Sequence, residues 1–176
     1  MAAGARWGGT ALAVGLLLAA AGCGGAGLGS SPAHTTTRAS SRWMTYDTRT
    51  KTAYLTVIAG YNGTRDGFNF DGYADGRLVF RVPVGWDVTI RFVNRGTTPH
   101  SVVITRGHGR RPAFPGAAVP ETERISGLAP GQSTIFTFRP TRVGSYRLVC
   151  LVPGHEDRGM WDRFVVTAGG MPSTSP

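Results

Sequence analysis

Cys150, His155 and Met160 follow one another at the spacing C-x4-H-x4-M, and His100 stands 50 residues before the cysteine in Thr98-Pro99-His100-Ser101. A thiolate, two imidazoles and a thioether are the four side chains of a mononuclear type 1 copper site. Sulfur and two nitrogens make a trigonal plane, and the thioether adds a weak, long axial bond. That set suits both Cu(I) and Cu(II), so an electron can be gained or lost with little rearrangement. Singly, each residue has a plainer explanation: a small buried cysteine, a hydrogen-bonded loop histidine, a methionine packed beside Trp161. In this order and spacing within one domain they read as a metal site. Zinc is the nearest chemical competitor, but structural zinc wants four Cys or His ligands. Only Cys150, His100, His155 and His108 are at hand, and His108, among Gly107, Gly109, Arg110 and Arg111, reads as a solvated loop residue.

The elements that must hold these donors have an apolar period of two, the mark of strands. Tyr54, Thr56 and Ile58 alternate with Leu55, Val57 and Ala59, and Leu78 to Val82 continues the pattern. Further strands are expected at Asp87 to Asn94, Ser101 to Thr105, Ser133 to Phe138, Ser145 to Cys150 and Trp161 to Thr167. Gly, Pro, Asn and Asp separate most of them, as at Val82-Pro83-Val84-Gly85 and Ala129-Pro130-Gly131. Seven or eight short strands without a long helical stretch predict an all-β, antiparallel sandwich or barrel. Cys150 would end one strand, Trp161 would begin the next, and the loop between them would present His155 and Met160. His100, just before another strand, would complete the site from across the sandwich. Arg106 to Ser126, containing Gly and Pro, is expected as a surface loop.

Both ends of the chain differ from this pattern. Arg6 precedes a 12-residue apolar run, Thr10 to Ala21, too short for the roughly 20 residues of a membrane span, so residues 1–22 read as an export signal. Ala20-Ala21-Gly22-Cys23 resembles a lipobox, although a larger aliphatic residue usually stands where Ala20 does. A lipid on Cys23 would hold the protein on the outer face of the cell membrane; without it the protein would be periplasmic or secreted. Residues 23–44, rich in Gly, Ser and Thr and including His34, read as a flexible tether, 45–168 as the folded domain, and 169–176 as a disordered tail.

Phe68-Asn69-Phe70-Asp71-Gly72-Tyr73-Ala74-Asp75-Gly76, Val82-Pro83-Val84-Gly85-Trp86, the Pro99-His100 pair, and Cys150-Leu151-Val152-Pro153-Gly154-His155 running on to Gly159-Met160-Trp161 carry a resemblance. With these motifs the domain resembles a cupredoxin and, within that family, sulfocyanin. The resemblance implies a Greek-key β-sandwich and a monomeric blue copper protein that passes single electrons outside the cytoplasmic membrane. Its partners would be redox proteins of the cytochrome or terminal oxidase type. Cys150 would bind as thiolate, His100 and His155 as neutral imidazoles, and Met160 as the axial ligand. His155 would be a partly exposed electron port, and Ser101 and Pro99 would support the ligands, a backbone N–H of Ser101 reaching the cysteine sulfur. One departure is the anchor: archaeal sulfocyanins are held by an uncleaved N-terminal helix, whereas this chain has a short apolar run and a lipobox-like cysteine.

The formal charge is +9, with 19 Lys+Arg, of which Lys51 alone is lysine, against 10 Asp+Glu. Without Arg6 it becomes +8. Such a surface would steer an acidic redox partner; nucleic acid is not expected, because the arginines are scattered and export would separate the two. A multicopper enzyme would need a second set of histidines that the sequence lacks. The alternative to electron transfer is an extracytoplasmic copper carrier or buffer, although such proteins favour exposed Met/His-rich or paired-Cys motifs.

Overall fold

The computed structural model describes residues 37–176. Residues 1–36, with the segment read as an export signal, Cys23, His34 and most of the segment read as a tether, lie outside the described part. Ten strands are described: β1 (Thr37–Ser41), β2 (Met44–Asp47), β3 (Thr52–Ala59), β4 (Val79–Pro83), β5 (Asp87–Asn94), β6 (Val103–Thr105), β7 (Ser133–Phe138), β8 (Gly144–Val149), β9 (Trp161–Thr167) and β10 (Ser173–Ser175). They form two five-stranded sheets, ordered β1-β2-β3-β5-β7 and β10-β4-β9-β8-β6. The sandwich is as expected, but its sheets are mixed: β3 runs parallel to β5, and β4 parallel to β9. Strand periodicity reports which side chains face inward and is silent on the direction of the neighbouring strand.

The alternation explains the core. Val88, Ile90, Phe92 and Asn94 of β5 are buried while Arg91 between them is exposed, and Asp162, Phe164 and Val166 of β9 repeat the pattern. Phe70, Phe80, Phe92 and Phe164 meet between the sheets without solvent contact. Each such side chain contributes about 2 to 3 kcal/mol of burial free energy, which makes the sandwich a stiff platform for whatever stands at its end.

Four sequence readings are revised. The tether read over 23–44 contains β1 and begins β2, with Trp43 and Met44 buried, because backbone pairing to β2 and β3 needs no apolar side chains. In the tail read as disordered, β10 pairs with the edge of β4, and Arg81 Nη1 donates to Ser175 Oγ at 2.9 Å. The strand read from Ser101 starts only at Val103, since the Ser101 N–H turns to the Cys150 sulfur and His100 exchanges backbone bonds with Leu128. Arg106 to Ser126 buries Phe114, Ala117 and Val119 and, through bonds such as Ala113 N–H to Ile104 O, lies along the free edge of β6. A covered edge cannot template pairing with another chain.

Candidate metal centre

Cys150 is the first residue after β8, and its backbone N–H donates to Met160 O at 3.1 Å, so the two ends of the intervening loop are pinned together. Inside the loop, the Met160 N–H donates to His155 O at 3.0 Å and the His155 N–H to Val152 O at 3.1 Å. These bonds close the ten-residue step from cysteine to methionine into a tight turn that aims His155 back toward the cysteine. His100 reaches the same point from the segment before β6.

Three donors converge. Ligand atoms of His100, Cys150 and His155 all lie within 4.8 Å of one another, and all three residues are buried. His155 Nδ1 is 3.2 Å from His100 Nδ1 and 3.4 Å from Cys150 Sγ. Thr98 Oγ1 lies 3.4 Å from His100 Nε2, so that nitrogen is placed to carry the proton and leave the Nδ1 lone pair facing inward. Gly96 makes room for this ring, because a Cβ there would come within 2.7 Å of Nε2. Met160, without solvent contact, lies in the core beneath the loop.

The electrostatics favour neutral imidazoles. Burial, with the neighbouring His155 adding to it, pushes the His100 pKa down to about 4. Burial and then the Arg158 charge lower that of His155. Both rings therefore present lone pairs rather than a second proton. Burial pushes the Cys150 thiol up, opposed by the Ser101 and Val152 backbone N–H groups. The Ser101 N–H donates to Sγ at 3.4 Å, while its hydroxyl accepts the Leu151 N–H at 3.0 Å, so one residue fixes both the sulfur and the start of the loop.

This donor set fits copper. One sulfur and two facing, unprotonated nitrogens in a buried pocket, with a thioether residue on the same loop, match a type 1 site. Among the described residues there is no fourth Cys or His at the site, as structural zinc would want: His108 has an exposed side chain and contacts Glu156 and Arg147 instead.

Two supports were not read from the sequence. Phe68 stands edge-on to the His155 ring, with centroids 4.9 Å apart at 89°, and the Arg158 guanidinium lies 4.4 Å over the Phe68 ring. His155 is consequently only 8% exposed, less than a partly exposed port would be. The second support is the segment 65–76. Arg65 pairs with Asp75 at 2.5 Å and donates to Arg158 O at 3.3 Å, and the Asp75 N–H donates to Gly159 O at 2.8 Å. Gly159 has φ +83°, and a Cβ there would collide with Asp75 and Arg65. Gly76 donates its N–H to Trp161 O, and a Cβ at Gly76 would strike the Trp161 ring. Neither support has a local signature, because each joins residues far apart in the chain.

Comparison with known proteins agrees with this geometry. Residues 39–172 match the model of the Sulfocyanin (SoxE) domain. A sulfocyanin of Sulfolobus acidocaldarius is 29% identical over 127 residues, covering 66% of this chain and 64% of the relative, so the chain spans about two thirds of that protein's length. Among solved structures, reduced rusticyanin is 25% identical, with a TM-score of 0.51 over 66% of this chain and 80% of that one. A substituted rusticyanin is 24% identical, with a TM-score of 0.53 over 76% of this chain and 87% of that one, a likeness of fold.

Proposed function

The chain belongs to the sulfocyanin family of cupredoxins, and on that premise we propose that it is an exported electron carrier passing single electrons between extracytoplasmic redox proteins. Bound copper supplies the one-electron Cu(I)/Cu(II) couple. Cys150 would hold it as a thiolate, His100 and His155 through Nδ1, and Met160 through a weakly binding thioether sulfur. The observation that carries this reading is the convergence of Cys150 Sγ with the two histidine nitrogens within 4.8 Å in a buried pocket. Their positions are held by hydrogen bonds and core packing that do not depend on the ion, so little structural change accompanies a change of charge.

Export rests on the apolar run before Cys23, and attachment on Cys23 itself. Among the described residues no helix is long and apolar enough to cross a membrane. The partner, a cytochrome or terminal oxidase, would approach with an acidic face a chain whose formal charge is +8 once Arg6 has left with the export signal, at rates that fall with added salt.

Adding Cu(II) to the purified protein should develop an intense visible thiolate-to-copper band, absent from Cys150→Ser. An unchanged spectrum in that variant would refute the ligand assignment. In stopped flow with a reduced haem protein, rapid reversible electron exchange with copper retained supports a carrier of electrons. Loss of copper on reduction would instead indicate a copper carrier or buffer.

A further inference from the structure

Arg147 lies in the middle of β8, only 9% exposed, and a buried guanidinium needs a reason. Its Nη1 is paired with Glu156 Oε1 and lies 2.7 Å from His108 Nδ1. The guanidinium carbon sits 4.0 Å over the Trp161 ring. Its Nε makes no hydrogen bond, so the stack on the indole is what compensates that side of the group. Glu156 follows His155 in the chain and Trp161 follows Met160. One side chain therefore grips the metal loop next to two of its donors, while β8 carries the group up to Val149, immediately before the third donor, Cys150. Gly76 also lies close against the Trp161 ring, where a Cβ would collide with it. Arg110 adds to the same side by donating to Leu151 O at 3.2 Å.

We infer that Arg147 is a positioning residue of the metal centre: through Glu156 and Trp161 it sets where His155 and Met160 stand relative to Cys150. The inference rests on copper being held by these residues. A planar cation is needed, because the same group must pair in its plane with a carboxylate and stack by its face on an indole. Lysine offers charge without either geometry. His108, the loop histidine of the sequence, then acts as the outer cover of the Arg147–Glu156 pair.

The test loads the full-length protein with Cu(II) and compares wild type with Arg147→Met, Arg147→Lys and Glu156→Gln. Copper affinity by chelator competition, the thiolate-to-copper band and the reduction potential are read on each. Arg147→Met should bind copper about 10-fold more weakly, the lower end of what losing an outer residue that orients metal ligands costs, with the band and the potential both shifted. Arg147→Lys should not restore them. Glu156→Gln, which keeps the size of the side chain, should move all three in the same direction by less and serves where Arg147→Met does not fold. If the variants melt earlier yet keep affinity, band and potential, Arg147 is only a structural residue and the inference fails. If wild type develops no thiolate band, the copper assignment itself fails, a result distinct from the first.

Discussion

The metal loop is gripped from two sides, and the two grips differ in kind. On the side of 65–76 the contact is backbone against backbone: Asp75 to Gly159 O, Gly76 to Trp161 O, with two glycines at positive φ where no Cβ fits. On the β8 side it is one charged side chain, Arg147, against Glu156 and Trp161. A backbone grip is coarse, because any residue other than glycine must both adopt the left-handed backbone and displace the side chains packed there. A side-chain grip is graded, because charge, length and planarity can be altered separately. The first fixes where the loop lies; the second adjusts it.

Substitutions can break or sharpen that contrast. The largest effect is expected from Gly159→Ala, which combines the left-handed backbone with a collision against Asp75 and Arg65. It should cost about 3 kcal/mol in denaturant unfolding of the metal-free protein, since the conformation alone costs about 1 to 2 kcal/mol. A loss below about 1 kcal/mol would mean that the backbone grip yields easily. Gly76→Ala should come next, at about 2 kcal/mol, by displacing the Trp161 ring, and it should also shift the thiolate band of the copper form. A destabilised variant with an unaltered band would show that Trp161 does not transmit position to Met160.

A third prediction concerns Asp71, which is buried, accepts the Ile58 N–H at 2.8 Å and leaves its Oδ2 without a partner. Burial holds its pKa well above 3.8, helped by the nearby Asp162 charge. The folded protein thus keeps a proton that the unfolded chain loses. Stability should therefore fall as pH rises from about 4 toward the raised value, by at most about 1.4 kcal/mol for each pH step of one within that interval. Asp71→Asn keeps an acceptor for Ile58, tolerates φ +56° and cannot ionise. Its unfolding free energy should be flatter with pH than that of wild type; parallel curves would place the proton elsewhere. The smallest effect belongs to Arg65→Ala. Arg65 and Asp75 have side chains about half exposed, so their pair should be worth less than about 1 kcal/mol and weaken further in salt.

How much of this could be read from the chain depends on the distance over which each feature acts. β5, β7 and β9 end where their apolar alternation ends, since a strand facing one core writes its period into consecutive residues. β1 and β10 left no such mark, because strands of small polar residues are held by backbone bonds to neighbours far along the chain. The insertion at 106–126 reads as a surface loop from its Gly and Pro, and Phe114, Ala117 and Val119, which follow no period, nevertheless find buried places. In the site, Cys150, His155 and Met160 are readable from spacing, whereas the Ser101 N–H is implied only by the resemblance to cupredoxins. Phe68 and Arg147 are not readable, since an aromatic and an arginine have many other uses.

The sequence by itself determined the donor types, their order, and the strand before and after the metal loop, because these are local facts of composition and period. Only the tertiary structure decided that β3 and β5 run parallel, that Phe68 covers His155, and that Arg147 and Gly159 hold the loop from opposite sides. Those outcomes join residues from different parts of the chain, and such contacts are settled by how the two sheets close around a shared core.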